Sequence, residues 1–140
     1  MRDFSTPRTF ILSAYQGVNP ADDFRAHADL SFDLAYAGIP FRECEGSYKG
    51  AREQSFVVVG VENQFAVETL ARKYEQVSFL LIAENDRLAY DVSTETGYHE
   101  HLGKFTVAGD EEPACDAWTL VDGVYFTCDG RPGTDLPGGL

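Results

Sequence analysis

The segment Glu53-Gln54-Ser55-Phe56-Val57-Val58-Val59-Gly60-Val61 is the strongest strand signal in the chain, with a β-branched run and no charge after Glu53. Such a run reads as a central strand, so the neighbouring elements must supply the surfaces that cover it. Upstream, Thr9-Phe10-Ile11-Leu12-Ser13-Ala14-Tyr15 is a second β-rich run. Asn19-Pro20 then offers a side-chain cap and a proline at the first helical position, with Asp22 and Asp23 where the helix dipole favours anions. Phe24, Ala28, Leu30, Leu34, Ala35 and Ala37 continue at helical spacing until Gly38 and Pro40 close the helix. Phe41 to Gly46 alternates as a strand, with Phe41, Glu43 and Glu45 on one face and Arg42 and Cys44 on the other. Ser47 to Arg52 has no period and reads as a loop.

Downstream of the central run, a helix from Asn63 carries Ala66, Val67, Leu70, Ala71 and Tyr74 on one stripe. Val77 to Ala83 reads as a buried strand, Asn85-Asp86-Arg87 as a tight turn, and Leu88 to Val92 as an antiparallel return. Lys104 to Ala108 is a further strand. An Asp122-Gly123 turn joins Trp118–Val121 to Val124–Thr127 as a hairpin. Strand, helix, strand, strand, helix, strand is the split βαβ, or ferredoxin-like, order. It predicts an α+β fold: two helices on one face of a mainly antiparallel sheet of five or six strands, plus a C-terminal strand and hairpin. The 140 residues suit one domain. We expect a loose segment over 1–8, the domain over 9–129, and a flexible tail over 130–140, where Gly and Pro dominate.

Eleven Lys and Arg against 23 Asp and Glu leave a net charge of −12 and a pI near 4.4. That balance argues against a nucleic-acid partner, which needs basic surface to displace counterions. The apolar runs Phe56–Val61 and Phe79–Ala83 fall far short of the ~20 residues of a membrane span. No basic-then-apolar leader opens the chain, so a soluble, cytoplasmic protein without a membrane partner is expected. Three cysteines, Cys44, Cys115 and Cys128, stand at unpatterned spacings that suit neither a disulfide framework nor a zinc knuckle.

Several residue groups invite a chemical reading. His99 and His101 could share a metal ion if they sat on a strand, but no third ligand is spaced to join them, and two histidines in a polar loop are more often just solvated. His27 falls mid-helix and reads as a surface or half-buried residue. Gly17-Val18-Asn19 lacks the glycine spacing and lysine of a phosphate loop, and the acids after it would repel an anion. Glu43, Glu45, Glu62, Glu68 and Glu75 could mimic phosphates as a decoy for DNA-binding proteins. Arg42, Lys49, Arg52, Arg72, Lys73 and Arg87 interrupt the strip. Glu53 stands at the mouth of the central strand beside apolar walls, with Tyr48 in the Gly-bracketed segment before it. Spacing alone leaves both as ordinary surface residues.

Taken in order, Leu12-Ser13-Ala14-Tyr15, Gly46-Ser47-Tyr48-Lys49, the glutamate opening Glu53–Val61, Leu70 to Gln76 with Phe79-Leu80-Leu81-Ile82, Gly103-Lys104-Phe105 and Trp118 to Asp122 resemble the phage-encoded S-adenosylmethionine lyases, formerly called hydrolases. The likeness covers about residues 9 to 128. It implies a homotrimer of ferredoxin-like subunits related in shape to PII signalling proteins, with S-adenosylmethionine held at subunit interfaces. It further implies Tyr48 and Glu53 as catalytic residues, Ser13 and Tyr15 as additional substrate contacts, and no metal or cofactor. The implied reaction is intramolecular lactonisation to methylthioadenosine and L-homoserine lactone, countering host restriction. The runner-up is a non-enzymatic binding protein, either an acidic anti-restriction decoy or a nucleotide-sequestering protein. A related bacterial domain of another role is a third reading.

Overall fold

The computed structural model describes residues 7–48, 51–115 and 117–129, with the side chains of Tyr48 and Asp129 left aside. The expected tail over 130–140 and most of the expected loose segment lie outside these residues. Along the chain come β1 (Arg8–Ser13), α1 (Pro20–Tyr36), β2 (Arg42–Tyr48), β3 (Ala51–Val59), a 3-10 turn (Val61–Asn63), α2 (Gln64–Lys73), β4 (Ser78–Ala83), β5 (Leu88–Ser93), β6 (His99–Gly109), β7 (Ala117–Val121) and β8 (Val124–Asp129). All strand pairs are antiparallel, and the eight strands close into a barrel in the order β1-β3-β2-β7-β8-β6-β5-β4.

This closure overturns the ferredoxin-like α+β reading, its five or six strands and the PII-like subunit shape. The first four strands do stand in the order β4-β1-β3-β2. In an open sheet β2 and β4 would then be edges with unpaired N–H and C=O groups. Here β2 is covered by β7, from Glu45↔Leu120 to Tyr48↔Ala117, and β4 by β5, from Ser78↔Ser93 to Ala83↔Leu88. β6 and β8 complete the ring, so no edge survives among the paired strands. The loop expected over Ser47 to Arg52 is also corrected. Ser47 and Tyr48 end β2, Ala51 and Arg52 begin β3, and the two strands pair up to Tyr48↔Ala51.

Local chemistry explains the element ends. Asn19 caps α1, its side chain accepting from the amides of Ala21 (2.9 Å) and Asp22 (3.2 Å). At the other end Gly38 takes φ 74° while its N–H reaches Ala35 O and the Ile39 N–H reaches Leu34 O, a Schellman closure. Asp122 (φ 50°) and Gly123 (φ 81°) form the left-handed pair that a two-residue hairpin requires.

Both helices cover the outside of the barrel. Leu30 and Leu34 of α1 and Val67 and Ala71 of α2 pack on Phe10, Leu12, Phe56, Val58, Phe79, Leu81 and Val92, the outward set of β1, β3, β4 and β5. Phe24 and Ala28, expected on the packed stripe of α1, face solvent instead. The alternate set points inward, where Ile82, Ala89 and Phe105 form a second cluster with Ile11, Leu80 and Phe126 around it. β3 lies between the two cores, which is why its run is apolar on both parities. Each fully buried side chain of this kind contributes about 1.5–3 kcal/mol. Among the described residues, no helix is long and apolar enough to cross a membrane.

Candidate active site

Glu53 is the third residue of β3, opposite Gly46 of β2. β1 runs alongside, pairing Ser13 with Ser55, and ends there. The Ser13 hydroxyl donates to Gln54 O (2.9 Å) and accepts from the Tyr15 amide (3.0 Å), which turns the chain out of the sheet and sets Tyr15 beside the start of β3. The loop that follows is tied on both sides. Asp23, only 6% exposed, accepts from the amides of Gln16 (2.7 Å) and Gly17 (3.1 Å). On the α2 side, the Gln76 side chain donates to Tyr15 O (2.8 Å) and the Gln16 side chain to Tyr74 O (2.7 Å). A loop with its backbone groups satisfied in this way holds its side chains in place.

A wall of rings backs the loop. Tyr15 stands edge-on to His27 at 6.0 Å, His27 stacks on Phe56 at 4.3 Å, and Phe41 meets Phe56 edge-on at 5.2 Å. His27 Nε2 lies 3.2 Å from Glu43 Oε1, and its Nδ1 is buried with no partner among the described residues.

The electrostatics of the corner are acidic. Burial raises the Glu53 carboxyl above its ordinary value; the Ser13 hydroxyl opposes that rise and the Asp23 charge adds to it. Burial also raises the Tyr15 phenol, followed by the charges of Asp23, Glu53 and Glu45. No cation pairs with Glu53 among the described residues. Its neighbour Arg52 is engaged elsewhere, bonded to Glu112 (2.8 Å), 3.9 Å from Glu45, and lying over the Trp118 ring (5.2 Å). A half-buried carboxylate with the Asp23 charge nearby and no paired cation among the described residues is suited to receive a small positive ligand.

Of the residues singled out in the sequence, Ser13, Tyr15 and Glu53 come together at this end of the barrel. Tyr48 ends β2 two residues beyond Gly46, the partner of Glu53; its side chain lies outside the described residues. Sequence reasoning passed over Asp23 as a helix-dipole residue and passed over Gln76 entirely. The signal for Asp23 was its distance, one helical turn, from the Asn19 cap. His27 proves half-buried at 12% side-chain exposure, as a wall of this corner. The Gly17-Val18-Asn19 turn is a poor phosphate loop, because the Asp23 carboxylate already accepts from the Gly17 amide and sets a negative charge there.

The remaining groups separate from the site. His99 and His101 lie on β6 rather than in a loop, both exposed and flanking Tyr90 at 5.9 and 5.4 Å. No cluster of three or more metal-ligating side chains occurs among the described residues. Burial, with a smaller push from Glu43, raises the Cys44 thiol to about 12, so it stays protonated and unreactive. Of the acidic strip, Glu43 is bonded to His27, Glu45 lies near Arg52, and Glu68 accepts from Gln64.

The fold is a closed antiparallel barrel with an acidic, half-buried corner at one end. The chain belongs to the S-adenosylmethionine lyase family, whose family model matches residues 10–129, from β1 through the last residue of β8. It is accordingly an S-adenosylmethionine lyase, with S-adenosylmethionine as its small-molecule substrate. No curated protein matches the chain.

Proposed function

We propose that the substrate is cleaved at the Ser13, Tyr15 and Glu53 corner by its own carboxylate. A carboxylate oxygen bonds to Cγ, the Cγ–S bond breaks, and its electron pair passes to sulfur. The sulfonium leaves as the neutral thioether methylthioadenosine, and the rest closes to L-homoserine lactone. No proton, metal or protein nucleophile enters the balance. Holding such an attack in line is worth about 7–11 kcal/mol. The reaction also joins opposite charges, so exclusion of water favours it.

The observation that carries this reading is Glu53, a half-buried carboxylate with no cation beside it among the described residues. In this scheme Glu53 orients the ammonium or a ribose hydroxyl of the substrate, Tyr15 and Ser13 are further substrate contacts, and Tyr48 packs against or hydrogen-bonds the methionine portion. Incubation in heavy-oxygen water tests the route. Label confined to the carboxyl group of homoserine supports a lactone formed first, whereas label on the side-chain hydroxyl means direct hydrolysis.

We propose further that the working form is a homotrimer with substrate at subunit interfaces. The exposed apolar side chains Phe24, Phe32 and Tyr36 along α1 support association. Light scattering that reports a monomer at working concentrations would remove this part. In a phage-infected cell, loss of S-adenosylmethionine would blunt host restriction and methylation. Plating efficiency on a restricting host, with and without the expressed gene, tests that role.

A further inference from the structure

At the end of the barrel away from Glu53, a cavity of about 430 Å³ opens inside the ring of strands. Ile11, Val57, Ile82, Phe105 and Phe126 line its depth, all on the inward parity of their strands. A volume in this range with apolar walls suits a small organic ligand.

Two guanidiniums stand at the mouth. Arg42 opens β2 and Arg87 immediately precedes β5, strands four places apart in the closed order of eight and therefore on opposite sides. Arg42 Nη1 is bonded to the Asp122 carboxylate, and Arg87 Nη1 to Glu84 Oε1 at 2.5 Å. The Nε and Nη2 groups of both have no acceptor among the described residues. Arg87 also lies over the Phe105 ring, 5.5 Å from its centre. Its backbone takes φ 62°, a left-handed conformation that side chains rarely adopt. Two hydrogen bonds hold it there, from Arg87 N to Ala83 O (2.8 Å) and from Phe105 N to Arg87 O (2.7 Å). These bonds close the β4–β5 turn and keep the cation over the apolar opening.

We propose that this mouth binds a small amphipathic carboxylate, with its apolar chain or ring in the cavity and its carboxylate between Arg42 and Arg87. The rim carries two cations and two anions, so it does not repel a carboxylate outright. The unengaged Nη2 and Nε hydrogens give each guanidinium a second face for a forked contact. The site is separate from the Glu53 corner and does not depend on how the lyase reaction proceeds.

Calorimetric titration of the intact protein with decanoate and with decanol tests the proposal. Decanoate should bind at least about tenfold more tightly than decanol. The double variant Arg42→Gln, Arg87→Gln should lose that preference while turning over S-adenosylmethionine at the wild-type rate, which also shows that it is folded. Failure of the wild-type protein to bind decanoate overturns the site. Equal binding of the alcohol, or a preference that survives in the double variant, overturns the role of the guanidiniums.

Discussion

The two ends of the barrel share strands but differ in charge and in how that charge is held. At one end Glu53 and Asp23 are carboxylates drawn into the protein; among the described residues the first has no cation beside it, and the second accepts from the backbone amides of Gln16 and Gly17. At the other, the two arginines of the rim are each paired, Arg42 with Asp122 and Arg87 with Glu84. A paired rim stays soluble at little cost in stability. An unpaired, half-buried acid is costly, and the cost is tolerated where it serves a ligand. The difference separates an end with an uncompensated acid from an end with paired guanidiniums before any ligand is considered.

The strongest way to break the comparison is to remove what both ends share. Phe56 is wholly buried between His27 and Phe41 on β3, the strand that runs from one end to the other. Phe56→Ala should cost about 3–5 kcal/mol in urea unfolding and impair both ends together. Glu53→Gln should strike one end alone. A loss of about 10²–10³-fold in kcat/KM is expected with the circular dichroism unchanged, and wild-type turnover would remove Glu53 from the site.

The same substitution carries a pH signature. Burial raises the folded-state carboxyl of Glu53, so its ionised form is disfavoured by folding. As pH falls through that raised value the acid takes up a proton and the penalty disappears; as pH rises through it the penalty returns. At neutral pH, Glu53→Gln should therefore melt higher than the wild type, and the gap should close in acid. The acid limb of the wild-type rate profile should lie above the ordinary glutamate range and vanish in the variant.

Asp23→Ala strips the acceptor from two amides beneath Tyr15. It should destabilise by about 2–3 kcal/mol and raise KM more than it lowers kcat, because it loosens the loop without removing Glu53. The smallest effect is expected at Asp33, where α1 meets α2. There a hydrogen bond from Lys73 (2.7 Å), then one from Tyr74 (2.6 Å), hold the carboxyl below its ordinary value. This stability is present above the unfolded-state value and is lost as pH falls through the folded one. Asp33→Asn should remove that dependence at a cost below about 1 kcal/mol, since the pair is partly exposed. Thermal melts from neutral pH down through and below the ordinary carboxyl range check it, since the loss falls between the unfolded-state value and the lower folded one.

Glu53 was legible as a strand-mouth carboxylate because an uncharged, largely apolar run follows it. Ser13 and Tyr15 were legible only through the family's collinear pattern, since a serine and a tyrosine at a strand end carry no signal of their own. Asp23 and Gln76 were missed because their work is done across the fold, on backbone groups of a loop that has no motif. The two histidines of β6 were assigned to a polar loop because exposed, polar strand residues look like loop in isolation.

What the chain determines by itself is whatever its neighbours within a few residues can enforce: the Asn19 cap, the Gly38 closure, the Asp122-Gly123 turn and the apolar run of β3. These rest on dihedral limits and hydrogen bonds that close locally. Closure of the barrel rests on pairings such as Glu45 with Leu120 and Phe105 with Cys128. Open edges on β2 and β4 look the same in sequence as covered ones, because a backbone amide carries no record of its distant partner. Only folding brings those edges together, and with them the acidic corner and the opposing arginines.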